Sequence, residues 1–217
     1  MVFLIAGAST GIGAATARHA AKAGYDVVLA ARSADKLEAL ARETGGRAVP
    51  TDVTNYAEVE NLVKQAGRID AVFANAGVGF PPGFTDGDPE QAKQVVLINV
   101  YGIYATIRAT AQALRDSRGH LVITSSIAGR RALKGSLYSA TKFAVTGMAE
   151  AARQDFNGTG VRTTLISPGM VETEGFSHEL EETLTPDDVA RAVLFALEQP
   201  PHVDVNEILL RPTAQDS

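Results

Sequence analysis

Cysteine is missing from all 217 residues, so disulfides, thiolate nucleophiles and cysteine-ligated metals are excluded. Histidine is scarce. The four present, His19, His120, His178 and His202, show no ligand spacing, and no metal site is expected. A surplus of positive charge is lacking as well: 20 basic against 25 acidic residues leave a net charge of −5. That balance argues against a nucleic-acid surface or an anionic membrane partner. No apolar run approaches the ~20 residues that span a bilayer. The opening Met1-Val-Phe-Leu-Ile-Ala6 is too short for a signal peptide and lacks its basic lead. The expectation is a soluble, cytoplasmic protein with no nucleic-acid or membrane partner. Linkers, low-complexity tracts and internal repeats are also wanting, so residues 1–217 read as a single domain, long enough to bury a sizeable core.

What the chain does have is alternation. Short β-branched runs at 2–6, 26–31, 47–51, 69–74, 120–125, 162–167 and 207–210 predict strands. Alanine-rich amphipathic stretches at 12–23, 34–43, 55–66, 88–115, 136–157 and 186–198 predict helices between them. The strand runs are apolar without strict alternation, as expected of strands covered on both faces in a parallel sheet. The fold class is therefore α/β: one Rossmann-like doubly wound domain, its seven-stranded, mostly parallel sheet carrying helices on both faces. Ser33, Thr54 and Thr185-Pro186 are the candidate N-caps. The least regular stretch, 169–184, is polar and acidic and follows a strand's carboxyl end, the edge where open α/β sheets bind ligands. It reads as a substrate flap, with a plain surface loop as the competing reading.

The pattern with most chemistry in it is Tyr138-Ser-Ala-Thr-Lys142. Residues four apart share one face of a helix, so an ammonium lies beside a phenol. A free tyrosine has a pKa of ~10, and a neighbouring cation favours the phenolate. Lowering it by two to three units takes roughly 3–4 kcal/mol of differential stabilisation, more than one lysine supplies. A second positive charge, from a cofactor, is called for.

The first strand runs into Gly7-Ala-Ser-Thr-Gly11-Ile-Gly13, followed by a helix. Glycines there let the backbone turn tightly and approach a pyrophosphate, whose charge meets the helix N-terminus. The second strand ends at Arg32-Ser33, in the region where an acidic residue would hold the ribose 2′-hydroxyl of NAD. A guanidinium there pairs with a 2′-phosphate instead, which favours NADP over NAD; a surface arginine at a strand end is the alternative. Asp52, in Thr51-Asp52-Val53, suits an adenine amine, with turn formation as its competitor. Small residues in Ala74-Asn75-Ala76-Gly77 allow close passage of a ligand. Asn99 sits in the apolar Val95-Val-Leu-Ile-Asn-Val100, where a buried amide needs partners; a structural clamp and a catalytic role are both open. Hydroxyls at Ser125 and Ser126 close the fifth strand, and Ser167-Pro-Gly169-Met-Val-Glu-Thr173 follows the sixth.

These pieces, in this order and over essentially the whole chain, resemble the short-chain dehydrogenase/reductase family. The resemblance implies an NADP(H)-dependent oxidoreductase that interconverts a carbonyl and a secondary or primary alcohol by hydride transfer. It makes Tyr138 the general acid/base, gives Lys142 the tasks of lowering the Tyr138 pKa and holding the nicotinamide ribose, sets Ser126 on the substrate carbonyl, and has Asn99 support a water in a proton relay. The oxidised nicotinamide would be the second positive charge. Cofactor contacts would come from Gly7, Ser9, Thr10, Gly11, Ile12 and Gly13, from Arg32, Asp52 and Val53, from Asn75, Ala76 and Gly77, and from Pro168, Gly169, Val171 and Thr173, besides Tyr138 and Lys142. Ala6 and Ala74 depart from the family pattern, which has a hydroxyl residue and an asparagine there. Ser126 matches the Ser-x-Ala-Gly pattern, whereas counting back thirteen from Tyr138 selects Ser125.

The stretch Gln199-Pro-Pro-His-Val-Asp-Val-Asn206 together with Arg211-Pro-Thr-Ala-Gln215 is similar to the branch acting on 3-hydroxy acids, including serine-type dehydrogenases. The substrate expectation is accordingly a 3-hydroxy acid or another small ketone or alcohol. One of Arg130, Arg131 and Lys134 would receive a substrate carboxylate or an acidic carrier protein, against the plainer reading of solvated loop charges or subunit contacts. The long helices near 88–115 and 136–157 suggest a homodimer or homotetramer by the same resemblance. A competing class, a non-catalytic nucleotide sensor on the same fold, predicts erosion of the Tyr, Lys, Ser and Asn set, yet all four positions are filled. A P-loop phosphotransferase lacks its Gly-Lys-Ser/Thr ending.

Overall fold

Phe3 and Ile5 face one way from the first strand and Leu4 the other, and all three are fully buried. That arrangement explains why the strand runs lack polar alternation: both faces of the sheet are covered. The computed structural model describes residues 1–80, 83–85, 87–173 and 182–215. In chain order these form β1 (Val2–Ala6), α1 (Gly11–Lys22), β2 (Asp26–Ala31), α2 (Ala34–Thr44), β3 (Arg47–Pro50), α3 (Tyr56–Ala66) and β4 (Ala71–Ala74). There follow α4 (Pro89–Val96), a π-helical turn (Leu97–Tyr101), α5 (Gly102–Ser117), β5 (His120–Thr124), a 3₁₀ turn (Ile127–Gly129), α6 (Leu137–Asp155), β6 (Arg162–Pro168), α7 (Pro186–Leu197) and β7 (Glu207–Leu210).

The described strands make one parallel sheet in the order β3-β2-β1-β4-β5-β6-β7. On one face Phe3, Ile5, Leu29 and Phe73 pack with Leu37 of α2 and Val189 and Val193 of α7. On the other, Leu4, Val72 and Leu121 pack with Leu62 of α3, Ile103 and Leu114 of α5, and Val145 of α6. Each fully buried Leu, Ile or Phe contributes roughly 1.5–3 kcal/mol. The expected α/β class, sheet and helical layers are therefore observed. No helix among the described residues is long and apolar enough to cross a membrane.

From β1 the chain winds outward through β2 to β3, then returns to β4 on the other side of β1. The loops leaving β1 and β4 thus diverge and open a crevice at the carboxyl edge, where such sheets bind ligands.

Three local expectations change. The helix expected over 88–115 is interrupted by the π-helical turn, whose extra residue turns Asn99 fully inward. Asn55, not Thr54, caps α3 by accepting from Ala57 N, while the Thr54 hydroxyl donates to Asp52 Oδ1 at 2.8 Å. Ser33 sits at the N-cap of α2 without a side-chain capping bond. Thr185 behaves as expected, forming a capping box with Asp188 ahead of Pro186. The ends of the expected flap are pinned together: Glu172 N donates to Leu184 O at 2.8 Å, and Leu184 N to Met170 O at 2.9 Å. Its middle, 174–181, lies outside the described residues.

Candidate active site

The crevice is built from glycines with no space for a side chain. Gly7 has a φ of +81°, and a Cβ there would stand 2.8 Å from the Ala76 backbone. A Cβ on Gly13 would stand 2.1 Å from Gly7 O, so only glycine lets α1 start this close to the loop. Thr10 occupies the N-cap of α1 with no side-chain cap bond, leaving Ser9, Thr10, Gly11 and Ile12 to frame a helix N-terminus on the crevice. Asn75 latches the loops together, donating from Nδ2 to Gly7 O at 3.2 Å and accepting at Oδ1 from the Thr124 hydroxyl at 2.9 Å. Thr173 reaches the same loop, its Cγ2 lying 3.2 Å from where Gly11 would carry a Cβ. Arg32 is exposed at the end of β2. Asp52 follows β3 and forms its own turn, accepting from Thr54 N and Oγ1 at 2.9 and 2.8 Å. Val53 is buried where Gly102 leaves room for it.

Four of the expected catalytic side chains converge. Ser136 caps α6 by accepting from Ser139 N, which sets the helix that carries Tyr138 and Lys142. Lys142 is buried; its Nζ donates to Thr124 O at 3.1 Å and lies 5.6 Å from the Tyr138 ring centre. The Cβ that Gly77 lacks would lie 3.5 Å from both Lys142 Nζ and Asn99 Oδ1. The Ser126 hydroxyl lies near enough to the Tyr138 phenol to favour its ionised form. Ser126 Oγ also accepts from Ala128 N at 3.1 Å and donates to Pro168 O at 3.4 Å. Ser125 turns away beneath α6, donating to Lys142 O at 3.1 Å and meeting the Thr146 hydroxyl at 3.0 Å. Of the two serines, Ser126 is the one at the phenol.

Electrostatics at the pair differ from the expectation. Burial pushes the Tyr138 phenol above its usual value, and the nearby Ser126 hydroxyl pulls the other way with less effect. Burial also pushes the Lys142 ammonium down to about 8. Lys142 alone therefore does not bring the phenol down, because desolvation is the larger influence on both groups.

Asn99 is used as a clamp. Its Oδ1 accepts from Val78 N at 2.8 Å, and its Nδ2 donates to Val78 O at 2.9 Å and Thr141 Oγ1 at 3.2 Å. One amide thus stands in for a strand neighbour to the loop after β4, which fixes Gly77 beside Lys142.

The loop between Ser126 and Tyr138 corrects one proposal. Arg130 forms a two-pronged ion pair with Glu207 of β7, its Nε 3.0 Å from Oε1, so it does not receive a substrate carboxylate. Arg131 and Lys134 are exposed on that loop. Gly83 N donates to Gly135 O at 2.8 Å, joining the loop after β4 to the one before α6, with Phe84 and Leu133 exposed nearby in the sequence.

Several contributors escaped the sequence reading. Thr124 acts on Lys142 through its carbonyl, for which no residue type is a signal. Thr141 was visible only as part of the Tyr138–Lys142 motif, although its hydroxyl holds Asn99. Gln215 belongs to the stretch read as similar to the 3-hydroxy acid branch and Glu207 to the strand between its two parts, and both reach loops of the site.

Comparison with known proteins agrees with this geometry. The family model described as short chain dehydrogenase matches residues 1–184. An uncharacterised oxidoreductase of Staphylococcus aureus is 39% identical, over 97% of this chain and 96% of the relative. A closed serine dehydrogenase complexed with NADP+ superposes with a TM-score of 0.95 at 28% identity, covering 100% of this chain and 97% of that one. A 3-ketoacyl-(acyl-carrier-protein) reductase from Brucella melitensis, complexed with NADH, has a TM-score of 0.89 at 26% identity, with 96% of each chain covered. The protein is an oxidoreductase and belongs to the short chain dehydrogenase family.

Proposed function

We propose that this enzyme interconverts a small carbonyl compound and its alcohol with NADP(H), Tyr138 serving as the proton donor and acceptor. The observation that carries the proposal is the buried Lys142, its Nζ 5.6 Å from the Tyr138 ring centre and beside Gly77 of the glycine-lined crevice, with Ser126 acting on the same phenol. The crevice fits a dinucleotide: Gly7 and Gly13 exclude side chains from the loop, and no side chain caps α1. Gly7 to Gly13, Asn75, Ala76 and Gly77 would hold the phosphates and the adjacent ribose. Asp52 and Val53 would face the adenine, and Pro168, Gly169, Val171 and Thr173 the nicotinamide end. When bound, the nicotinamide donates or accepts the hydride.

The chain's own residues handle the rest. A substrate oxygen placed between the Ser126 and Tyr138 hydroxyls accepts two hydrogen bonds, which strengthen as negative charge grows on it. Tyr138 then yields its proton, its high pKa keeping the phenol protonated beforehand. Lys142, held charged by Thr124 O, steadies the phenolate that remains and replenishes its proton. Asn99 keeps Gly77 and the loop after β4 in place and would support a water in that relay. Arg32, at the end of β2, supports NADP over NAD because a guanidinium pairs with a 2′-phosphate. A 3-hydroxy acid remains the substrate proposal, with Arg131 or Lys134 as its carboxylate partner in place of Arg130.

Replacing Tyr138 by Phe is expected to leave NADPH binding within about twofold while turnover on activated ketones falls roughly 10²–10⁴-fold. Substantial activity in that variant would refute the role. Val96, Tyr101 and Tyr104 on one helical run and Phe143 on α6 are exposed. They support assembly as a homodimer or homotetramer, which sedimentation at low concentration decides.

A further inference from the structure

The segment Arg211-Pro-Thr-Ala-Gln215 has no part in the chemistry above, yet it folds back onto the turn after β6. Gly169 N donates to Leu210 O at 2.8 Å, which continues the β6–β7 pairing by one residue. Beyond β7 the chain turns through a buried Pro212, with Gln215 N donating to Pro212 O at 3.1 Å. That turn delivers the Gln215 side chain to Met170, whose N donates to Oε1 at 2.9 Å. Gly169 makes room for it: a Cβ there would stand 2.2 Å from Gln215 Oε1 and 3.3 Å from Arg211 Cα. Gly169 carries no left-handed φ, so a tight turn does not account for the glycine; the incoming amide does.

Both backbone polar groups of Met170 are thereby held, N by Gln215 and O by Leu184 N at 2.9 Å. Two residues earlier in the turn, Pro168 O accepts from the Ser126 hydroxyl, and three residues on, Thr173 lies against Gly11. The direction in which the chain leaves β6 therefore depends on an amide supplied from beyond β7.

We propose that Gln215 is a positioning residue that sets the Pro168–Thr173 turn for the nicotinamide end of the cofactor. The proposal rests on the nicotinamide reading above. Met170 N is an amide donor in a crevice lined with donors, and committing it to Gln215 fixes the turn before any ligand arrives. Binding then does not have to order the turn, a saving that appears as tighter binding. The effect is confined to ligands that reach past the pyrophosphate.

The test compares wild type with Gln215→Leu, Gln215→Glu and Gly169→Ala. It measures amide exchange at Met170 and the Kd values of NADPH and of 2′,5′-ADP, which lacks the nicotinamide half. In Gln215→Leu the Met170 amide is expected to exchange faster and NADPH to bind roughly three- to tenfold more weakly, the effect of one net hydrogen bond, with 2′,5′-ADP unchanged. Gln215→Glu keeps the acceptor oxygen and should stay near wild type. Gly169→Ala expels the amide and should match Gln215→Leu, the double variant being no worse than either single one. Unchanged NADPH affinity in Gln215→Leu, or an equal loss of 2′,5′-ADP affinity, would overturn the proposal. Wild-type protein that binds NADPH no more tightly than 2′,5′-ADP would instead overturn the nicotinamide reading, and with it the functional half of this one, while Met170 exchange still reports whether the brace exists.

Discussion

The two edges of the sheet are both rich in polar side chains, and they treat them oppositely. At the amino edge each charge is absorbed by the fold. Arg162 donates to the carbonyls of Ala196, Leu197, Gln199 and Val203, closing the C-terminal end of α7 at 3.1–3.5 Å. Asp70 takes Val2 N and the Arg68 guanidinium, and His120 meets the Thr164 hydroxyl at 2.7 Å. At the carboxyl edge the groups have few partners and leave a face toward the crevice: Tyr138 lies near Ser126, Lys142 bonds a single carbonyl, and Asn75 the glycine loop. The amino edge uses polarity to tie elements together, and the carboxyl edge holds it in reserve. Substitutions at the first should therefore move stability and leave activity, and substitutions at the second should do the reverse.

Lys142 gives the largest contrast. Its folded pKa of about 8 lies below the ordinary 10.5, so keeping it charged at neutral pH costs about 3 kcal/mol. Lys142→Met removes that cost and forfeits the bond to Thr124 O, worth roughly 1–2 kcal/mol, so thermal stability is expected to hold or rise. Activity should nonetheless drop by roughly 10²–10³-fold. In the wild type, between about 8 and 10.5 the unfolded chain holds a proton the folded chain has lost, so stability rises with pH there as the required charge disappears. Carbonyl reduction should accordingly decline above pH about 8 while the melting temperature does not. A variant that melts well below wild type would make Lys142 a structural group and erase the contrast.

Arg162→Met tests the other edge. The apolar stem is kept and the hydrogen bonds to the carbonyls at the end of α7 are lost. A charged donor of this kind is worth roughly 1.5–3 kcal/mol, and for a chain of this size that lowers the melting temperature by about 4–10 °C. NADPH affinity and turnover should be untouched, since α7 ends at the edge remote from the crevice. Equal losses in stability and in kcat would show that the two edges are coupled.

How legible each edge was follows from the kind of interaction it uses. Glycines at 7, 11 and 13, the Tyr138–Lys142 spacing and the Thr185-Pro186 cap are local patterns, and the sequence displays them directly. Seven apolar runs separated by helical stretches are enough to predict a parallel sheet covered on both faces. The π-helical turn at Leu97–Tyr101 was not legible: it adds one residue to a helical ladder, and the apolar period around Asn99 barely changes. Nor was the choice of Asn55 over Thr54 as a cap, since both residue types cap well and neighbouring Asp52 decides by taking the threonine hydroxyl. Arg130 looked available because Glu207, its partner, is 77 residues away in the chain. The direction of the Tyr138 shift was misjudged for a related reason: helical spacing reports a neighbouring charge, whereas the burial that raises the phenol is not a local pattern.

His120 sets the smallest and most specific test. Its ring is buried at the start of β5, with Nε2 against Thr164 and Nδ1 without a partner among the described residues. Burial, aided by the nearby Arg162 charge, pushes its pKa down to about 3. As the pH falls below the ordinary 6.5, the unfolded chain takes up a proton that the folded chain refuses until about 3, so stability declines through that window. The slope from this one group is at most about 1.4 kcal/mol per pH unit. Asp70 and Asp188 also have depressed values, held down by their arginine and backbone or hydroxyl partners, so the stability they add is present above the ordinary carboxylate range. It is lost only as the pH drops below about 4. Urea unfolding between about pH 5.5 and 6.5, above the ordinary range of these aspartates and of the likewise depressed Glu43 and Glu150, therefore reports chiefly on the histidine. His120→Gln, which keeps a donor for Thr164, should flatten that slope and leave the pH profile of turnover unchanged. A wild-type slope that persists in the variant would mean that a group other than His120 carries it.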